Sequence, residues 1–430
     1  MSKLGGQFFL IMLFWISLCD AQVFDIIIKN GHVIDPKNNQ DSKLDIGISN
    51  GIIKKVSRNL STYQSKKIID ASGMYVVPGL IDIHTHIFVG GIPDVFANGR
   101  NSVSADNFSF RSGITTMVDA GTSGWRNFPI FKKNVIEKSK TRILVFLNIA
   151  GNGMSGDPIL TGLVDDKYLE KITPDMKYNQ QDIIDMNAQK TASVINQNKD
   201  VIIGVKIGHY EGEEITPFKR AIEAGIIADV PVIVECHLPE ISLENQLRMM
   251  RKGDILSHSF ENVDERETII DENGNVRKYV IDAKQRGVIF DVSHGGYGFW
   301  FNQAIPALNN GFKPDTFGSD LHKFSMNKGM KNMLNIMSKY LNMGMNINDV
   351  ILRATWNPAK SIKRGDDLGS LTVGNKADIA ILSLDSGNFG FVDAAGFKIK
   401  GDKKFQAELT IKDGEIQWDL NGLGAEKYNY

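Results

Sequence analysis

Cysteine is scarce in this chain: Cys19 and Cys236 are the only two in 430 residues. That excludes a disulfide-built scaffold and any zinc module made of several cysteines. Charge of one sign is also missing. Lys and Arg number 49 against 50 Asp and Glu, for a net charge of -1, and no long block carries one sign. Non-specific binding to nucleic acid or to anionic lipid needs a basic surface, so neither partner is expected. The 41 Gly and 12 Pro are too few and too scattered for a fibrous or disordered chain. No apolar run reaches the roughly 20 residues of a membrane span.

The most apolar run, Phe8–Leu18, follows Lys3 and precedes Cys19-Asp20-Ala21. A basic start, a short apolar core and a small-x-small end describe a secretory signal peptide. Residues 1–21 are therefore read as a signal peptide, and the protein as exported, periplasmic or secreted. A lipid anchor at Cys19 fits less well, because Leu18 is large where a lipobox has a small residue.

The remaining length allows about two or three domains. Both ends are rich in short alternating strands. Asp25–Lys29, His32–Ile34, Leu44–Ile48, Ile52–Val56 and Lys67–Asp70 lie at one end; Ala377–Leu382, Ala407–Ile411 and Glu415–Trp418 at the other. Like ends fold together readily, so residues 22–78 and 361–430 are expected to form one small discontinuous β-sandwich domain. Between them, apolar strand-like runs alternate with helical stretches. The runs are Gly79–Ile83, Thr115–Asp119, Arg142–Asn148, Val201–Val205, Val232–Glu235, Asp254–Leu256, Val288–Val292 and Thr316–Gly318. Eight such alternations over residues 79–360 predict an α/β fold of the (β/α)8 TIM-barrel type. The connection Gly151–Lys177 is long, and loops of that length are often functional.

A barrel of this kind works at the C-terminal ends of its strands. There the sequence places His84 and His86, Lys206, His237, His258, His294 and Asp320. His84 and His86 alternate along a strand, so both rings point to one side. Imidazoles with a carboxylate suit a borderline cation such as zinc. Lys206 closes an apolar run, Val201–Val205, and an ammonium buried there without a partner is strongly disfavoured. A neutral amine in its place can take up CO2 as a carbamate, whose two oxygens can bridge two cations. The competing reading, a lysine that caps a strand and pairs with Asp or Glu, is disfavoured by the histidines nearby. Asp119 is expected to tie down its strand, Arg126 to lie on a solvated helix, and Cys236 to pack on the side opposite His237.

Several segments together resemble the amidohydrolase superfamily. Val77-Pro78-Gly79-Leu80-Ile81-Asp82-Ile83-His84-Thr85-His86 is similar to its metal-binding signature, and Gly113–Gly121 to its second strand. Ala354–Lys360 and Gly369–Ala380 resemble its return into the small β-domain. A lysine at strand four matches the dihydroorotase-like, two-metal branch; Asp254–Phe260 and Asp291–Gly295 look closest to its amidohydrolase/deacetylase group. The resemblance implies two divalent metal ions, with His84, His86 and Asp320 on the first and His237 and His258 on the second. It further implies that carbamylated Lys206 bridges them, with a hydroxide between, and that Asp320 carries the proton. It implies amide-bond hydrolysis of a small acylated compound, such as an N-acyl amino acid, and a homo-oligomer. His294, Gly295, Gly296 and His209 are candidate substrate contacts. A cyclic amidohydrolase of dihydroorotase or hydantoinase type is the alternative within enzymes. A non-catalytic scaffold of the same fold is the alternative outside them, and metal content separates it.

Overall fold

Alternation of apolar and polar residues at the start of the chain produces a long strand, β1 (Phe24–Asp35), with Phe24, Ile26 and Ile28 buried. The computed structural model describes residues 23–92, 97, 99, 101–154, 180, 182–210, 212–235, 241–263 and 266–428. The expected signal peptide, with Cys19, lies outside the described residues, as do Cys236, His237 and most of the long connection after Gly151.

After β1 come β2 (Gln40–Ser49), β3 (Ile52–Ser57), β4 (Ser65–Asp70) and β5 (Tyr75–Pro78). The middle of the chain carries β6 (Leu80–Thr85), β7 (Val89–Ile92), β8 (Ile114–Gly124), β9 (Arg142–Asn148), β10 (Ile202–Gly208), β11 (Val232–Glu235), β12 (Ile255–Leu256) and β13 (Ile289–Phe290). The end supplies β14 (Ile379–Val392), β15 (Lys398–Lys412) and β16 (Glu415–Asp419). The helices among them are α1 (Phe128–Asn134), α2 (Ala188–Gln197), α3 (Thr216–Ala228), α4 (Leu243–Met249), α5 (Lys278–Arg286), α6 (Phe301–Asn309), α7 (Met333–Asn342), α8 (Ile347–Ala354) and α9 (Trp356–Ser361).

Both ends of the chain meet, but their described strands form one eight-stranded sheet rather than the two facing sheets of the expected sandwich, in the order β16-β15-β14-β5-β1-β2-β3 with β4 beside β1. Hydrogen bonds make the two ends one continuous sheet. β1 pairs in parallel with β4 through its first half and with β5 through its second. The switch falls at Asn30-Gly31, where the register slips and Asn30 turns left-handed. Only glycine fits at 31, since a Cβ there would lie 2.3 Å from the Val76 side chain.

The middle strands form a seven-stranded parallel sheet, β13-β12-β11-β10-β9-β8-β6. Residues 316–321, expected as an eighth strand at Thr316–Gly318, form a pair of isolated parallel bridges rather than a ladder. Asp291 meets Thr316 next to β13, and Thr85 meets Leu321 at the tip of β6. This segment thus runs between the two outer strands of the sheet. Its short pairing follows from its composition, because Gly318, Ser319 and Asp320 offer little apolar surface.

Ile81, Ile83, Val118, Leu144, Phe146, Ile203, Ile233 and Ile255 pack together inside the curve of the sheet, with Ala359 of α9, Ile362 and Leu368 over one end. That apolar plug closes the N-terminal side of the strands. Burial of apolar surface, at about 25 cal/mol per Å² removed from water, stabilises the curved sheet. The histidines and carboxylates of the site lie toward the opposite, C-terminal end of the strands. A second anchor is Arg142 of β9, which pairs with Asp378 and, at 2.9 Å, with Asp413, tying the parallel sheet to the terminal one. No helix among the described residues is long and apolar enough to cross a membrane.

Candidate metal centre

The plug ends where the side chains become ligands. His84 lies in β6 and His86 just past its end; both are buried. Asp320 comes from the bridging segment, whose backbone is stitched to β6 by Asp320 N–H to His84 O at 2.7 Å and His86 N–H to Leu321 O at 2.9 Å. The result is a triad, with His86 Nε2 2.9 Å and His84 Nε2 3.7 Å from Asp320 Oδ1. Ligand atoms held about 2.0–2.2 Å from one cation can lie up to about 4 Å apart, so these separations suit one. A second cluster of the same quality is His84, Glu235 and His258. Its carboxylate, at the end of β11, stands 3.0 Å from His258 Nε2 and 3.8 Å from His84 Nε2. Two nitrogen- and oxygen-rich clusters sharing His84 fit a divalent metal centre.

Each ring is aimed by a partner on its other nitrogen, as ligating histidines usually are. His84 Nδ1 lies 2.8 Å from Ser293 Oγ, and that hydroxyl reaches on to the Asp291 carboxylate. His86 Nδ1 lies 3.1 Å from Thr122 Oγ1, in a turn whose backbone is held by Asp119; Asp119 also binds Ile87 N–H, as expected of a tie for its strand. His258 Nδ1 sits 2.6 Å from the Ser293 carbonyl. The Nε2 atoms of His86 and His258 are left on the side of Asp320 and Glu235, and His84 Nε2 lies between those two carboxylates.

His209, His258, Ser293 and Asp320 all take left-handed backbone, with φ of +57°, +51°, +38° and +52°. Non-glycine residues pay for that conformation, about 1–3 kcal/mol each, and such strain collects at functional sites. Three of these residues, His209, His258 and Asp320, line one cavity of about 280 Å³, with His86, Glu235 and Arg266 among others.

Electrostatics follow from burial. Burial pushes His84 well below the usual histidine range, and the Lys206 charge adds to this. Burial alone would raise Asp320; the His322, His86 and His84 rings outweigh it and keep the carboxylate ionised well below its ordinary value. Against burial, Glu235 lifts His258 to about 9. Burial lowers His322, on the cavity wall, to about 4, so it is neutral near pH 7.

The structure brings together His84, His86, Lys206, His258 and Asp320, as expected. Lys206 lies inside β10 and is fully buried. Its ammonium pairs with Glu235 and lies 3.4 Å from His84 Nε2. This corrects the preference given to an unpaired lysine: a carboxylate partner, the disfavoured alternative, is present. His237, expected on the second metal, lies outside the described residues. His209 reaches Glu235 Oε1 at 2.9 Å and lines the cavity, and Gly296 lines it too. His294 does not line it. It is fully buried, Nδ1 3.0 Å from the Gly295 carbonyl, Nε2 2.6 Å from Lys339, its ring stacked on Phe299, so it holds a loop. Gly295 is pressed against Asp320, where a Cβ would lie 2.1 Å from Oδ2. Arg126 precedes α1 rather than lying on a helix, and its Nε donates to Asp185 at 2.9 Å.

Glu235 is the residue that sequence reasoning missed. The sequence reads it as the last residue of an apolar strand. The signal was its parity with Ile233, which points into the plug.

Comparison with known proteins agrees with this geometry. The model of the amidohydrolase family matches residues 301–416. A deacetylase of Brucella anthropi is 28% identical over 380 residues, 87% of this chain and 88% of that protein. Among solved structures, an adenine deaminase superposes with a TM-score of 0.79 at 24% identity, covering 92% of this chain and all of that one. A dihydroorotase superposes with a TM-score of 0.76 at 26% identity, covering 91% and 98%.

Proposed function

We propose, for a chain that belongs to the amidohydrolase superfamily and is a metal-dependent hydrolase of carbon–nitrogen bonds other than peptide bonds, that its substrate is a small N-acylated compound of the N-acyl amino acid type. The observation that carries this reading is the pair of clusters sharing His84, with Asp320 on the cavity wall. The deacetylase relative, aligned over most of both chains, supports the acyl substrate.

His84, His86 and Asp320 would hold one cation and His258 would help to hold a second. Such cations supply a water of lowered pKa and polarise a carbonyl. Zinc suits the nitrogen-rich donor set. Asp320, ionised at neutral pH, accepts the proton of the attacking water and passes it to the leaving nitrogen. Arg266, paired with Glu261 on the wall, offers a cationic group to a substrate carboxylate, and His209 and His322 offer hydrogen bonds. A carbamate formed from the Lys206 amine and CO2, with loss of one proton from Nζ, would supply a further anionic oxygen donor to the cations.

The wider organisation follows the same reading. Residues 79–360 act as a (β/α)8 catalytic barrel, closed by residues 316–321. Residues 22–78 with 361–430 act as the small β-domain, residues 1–21 direct export, and the chain assembles as a homo-oligomer. The dihydroorotase neighbour supports one alternative substrate class, a cyclic amide.

The test is metal content together with hydrolysis. Purified protein is expected to hold about two cations per chain and to release free amine from N-acyl amino acids. Lys206→Ala is expected to lose metal and nearly all activity. A parent protein that opens dihydroorotate or a hydantoin and leaves acylated amino acids untouched supports the cyclic-amide alternative. Full activity in Lys206→Ala refutes the bridging lysine.

A further inference from the structure

We infer that Glu235, and not His237, is the ligand that β11 supplies to the second cation, a proposal that rests on the metal-centre reading above. β11 alternates faithfully. Val232 and Val234 pack outward against the helices, and Ile233 points into the apolar plug. Glu235 therefore points the same way as Ile233, one layer nearer the cavity. It is paired in register with Gly208 of β10, two residues beyond Lys206. Its carboxylate is buried, with only 5% of the side chain exposed, and both its oxygens are engaged. Oε1 faces His258 Nε2 at 3.0 Å and His209 Nε2 at 2.9 Å; Oε2 faces Lys206 Nζ and, at 3.8 Å, His84 Nε2.

A buried carboxylate facing His258 Nε2, with its other oxygen 3.8 Å from the Nε2 atom of His84 on the first cation, is a donor pair for a second cation. The aim of the rings supports this. His258 is fixed through Nδ1 by the Ser293 carbonyl, and His84 through Nδ1 by Ser293 Oγ. Those anchors turn the Nε2 atoms of both rings toward Glu235.

Charge favours the same arrangement. Two divalent cations bring four positive charges into a site whose ligand side chains are buried. Asp320, Glu235 and a carbamate on Lys206 bring three negative ones, leaving a single positive charge that one small anion neutralises. With a neutral histidine in place of Glu235, two positive charges remain, and burying uncompensated charge is costly.

The test uses full-length mature protein stripped with chelator and reloaded with Co²⁺ in bicarbonate buffer. Cobalt per chain is read by elemental analysis, and its coordination by visible absorption. Wild type and His237→Asn are expected to bind about two cobalt ions with the same spectrum. Glu235→Gln is expected to bind about one, with an altered spectrum and a melting temperature showing that it is folded. Glu235→Asp, which keeps the charge, is expected to recover part of the second ion. Two ions in Glu235→Gln, or loss of the second ion in His237→Asn, overturns the assignment. A wild type with one ion overturns it too while leaving a metal-dependent hydrolase in place. A wild type with none removes the metal-centre reading itself.

Discussion

Lys339 and His294 meet out of reach of water, Nζ 2.6 Å from Nε2, and the same ammonium donates to the Gly329 carbonyl at 2.7 Å. α7 is thereby fastened to the loop after β13, and through His294 Nδ1 to the carbonyl of Gly295. Burial lowers Lys339 from its ordinary 10.5 to about 7. Between those values the unfolded chain holds a proton that the folded chain has released. Stability from this group therefore rises with pH from about 7 to about 10.5, at up to about 1.4 kcal/mol per pH unit, and is flat outside that window. Lys339→Met lacks this slope. Denaturant melts at pH 7 and 9.5 should show the wild type gaining on the variant; parallel profiles would mean that Lys339 stays charged in its pocket.

Gly295 has φ +49° and lies against Asp320. Gly295→Ala adds the left-handed penalty of about 1–2 kcal/mol and drives a methyl into Oδ2. We expect a modest fall in melting temperature and a more than tenfold fall in kcat, since Asp320 must move. An alanine variant with unchanged kcat would show that Asp320 tolerates the shift.

Ser293 connects His84 to Asp291. Removing its hydroxyl leaves the ring unanchored at Nδ1 and a carboxylate short of one donor. Ser293→Ala is expected to weaken cation binding by about 10–100-fold, measured by competition with a chelator of known affinity. Equal affinity in both proteins would confine Ser293 to packing.

Asp320→Asn keeps the shape and removes the base. Activity should fall by about 10²–10⁴ with little change in thermal stability. A smaller loss, rescued by raising pH, would hand the proton transfer to another group.

Much of this architecture is legible in the sequence. His84, His86 and His258 can be placed at strand ends because each follows a short apolar run, whereas Asp320 belongs to a segment that forms isolated bridges and no strand. β9 and β11 run from Arg142 to Asn148 and from Val232 to Glu235, the expected bounds. Glu235 escapes notice because a carboxylate before Cys236-His237 competes with a more familiar ligand type. Its role depends on four partners 23 to 151 residues away. The β14–β15 hairpin is also longer than its sequence suggests. Only Ala377–Leu382 and Ala407–Ile411 read as strands; the extension between them is broken by Gly387, Gly390 and Gly401 and is held by cross-strand pairing such as Phe391 with Ile399. Pairing across a hairpin is a property of two segments and leaves little mark on either.

The position of β5 in the terminal sheet sets a condition on the order of folding. β5 lies between β1 and β14, strands from opposite ends of the chain, so one of its edges stays bare until some three hundred further residues have been synthesised. Through that interval the nascent chain carries an exposed apolar edge at Val76 and Val77, open to a neighbour's strand. A holdase that covers this edge during synthesis should raise the yield of folded protein more than one that acts after release.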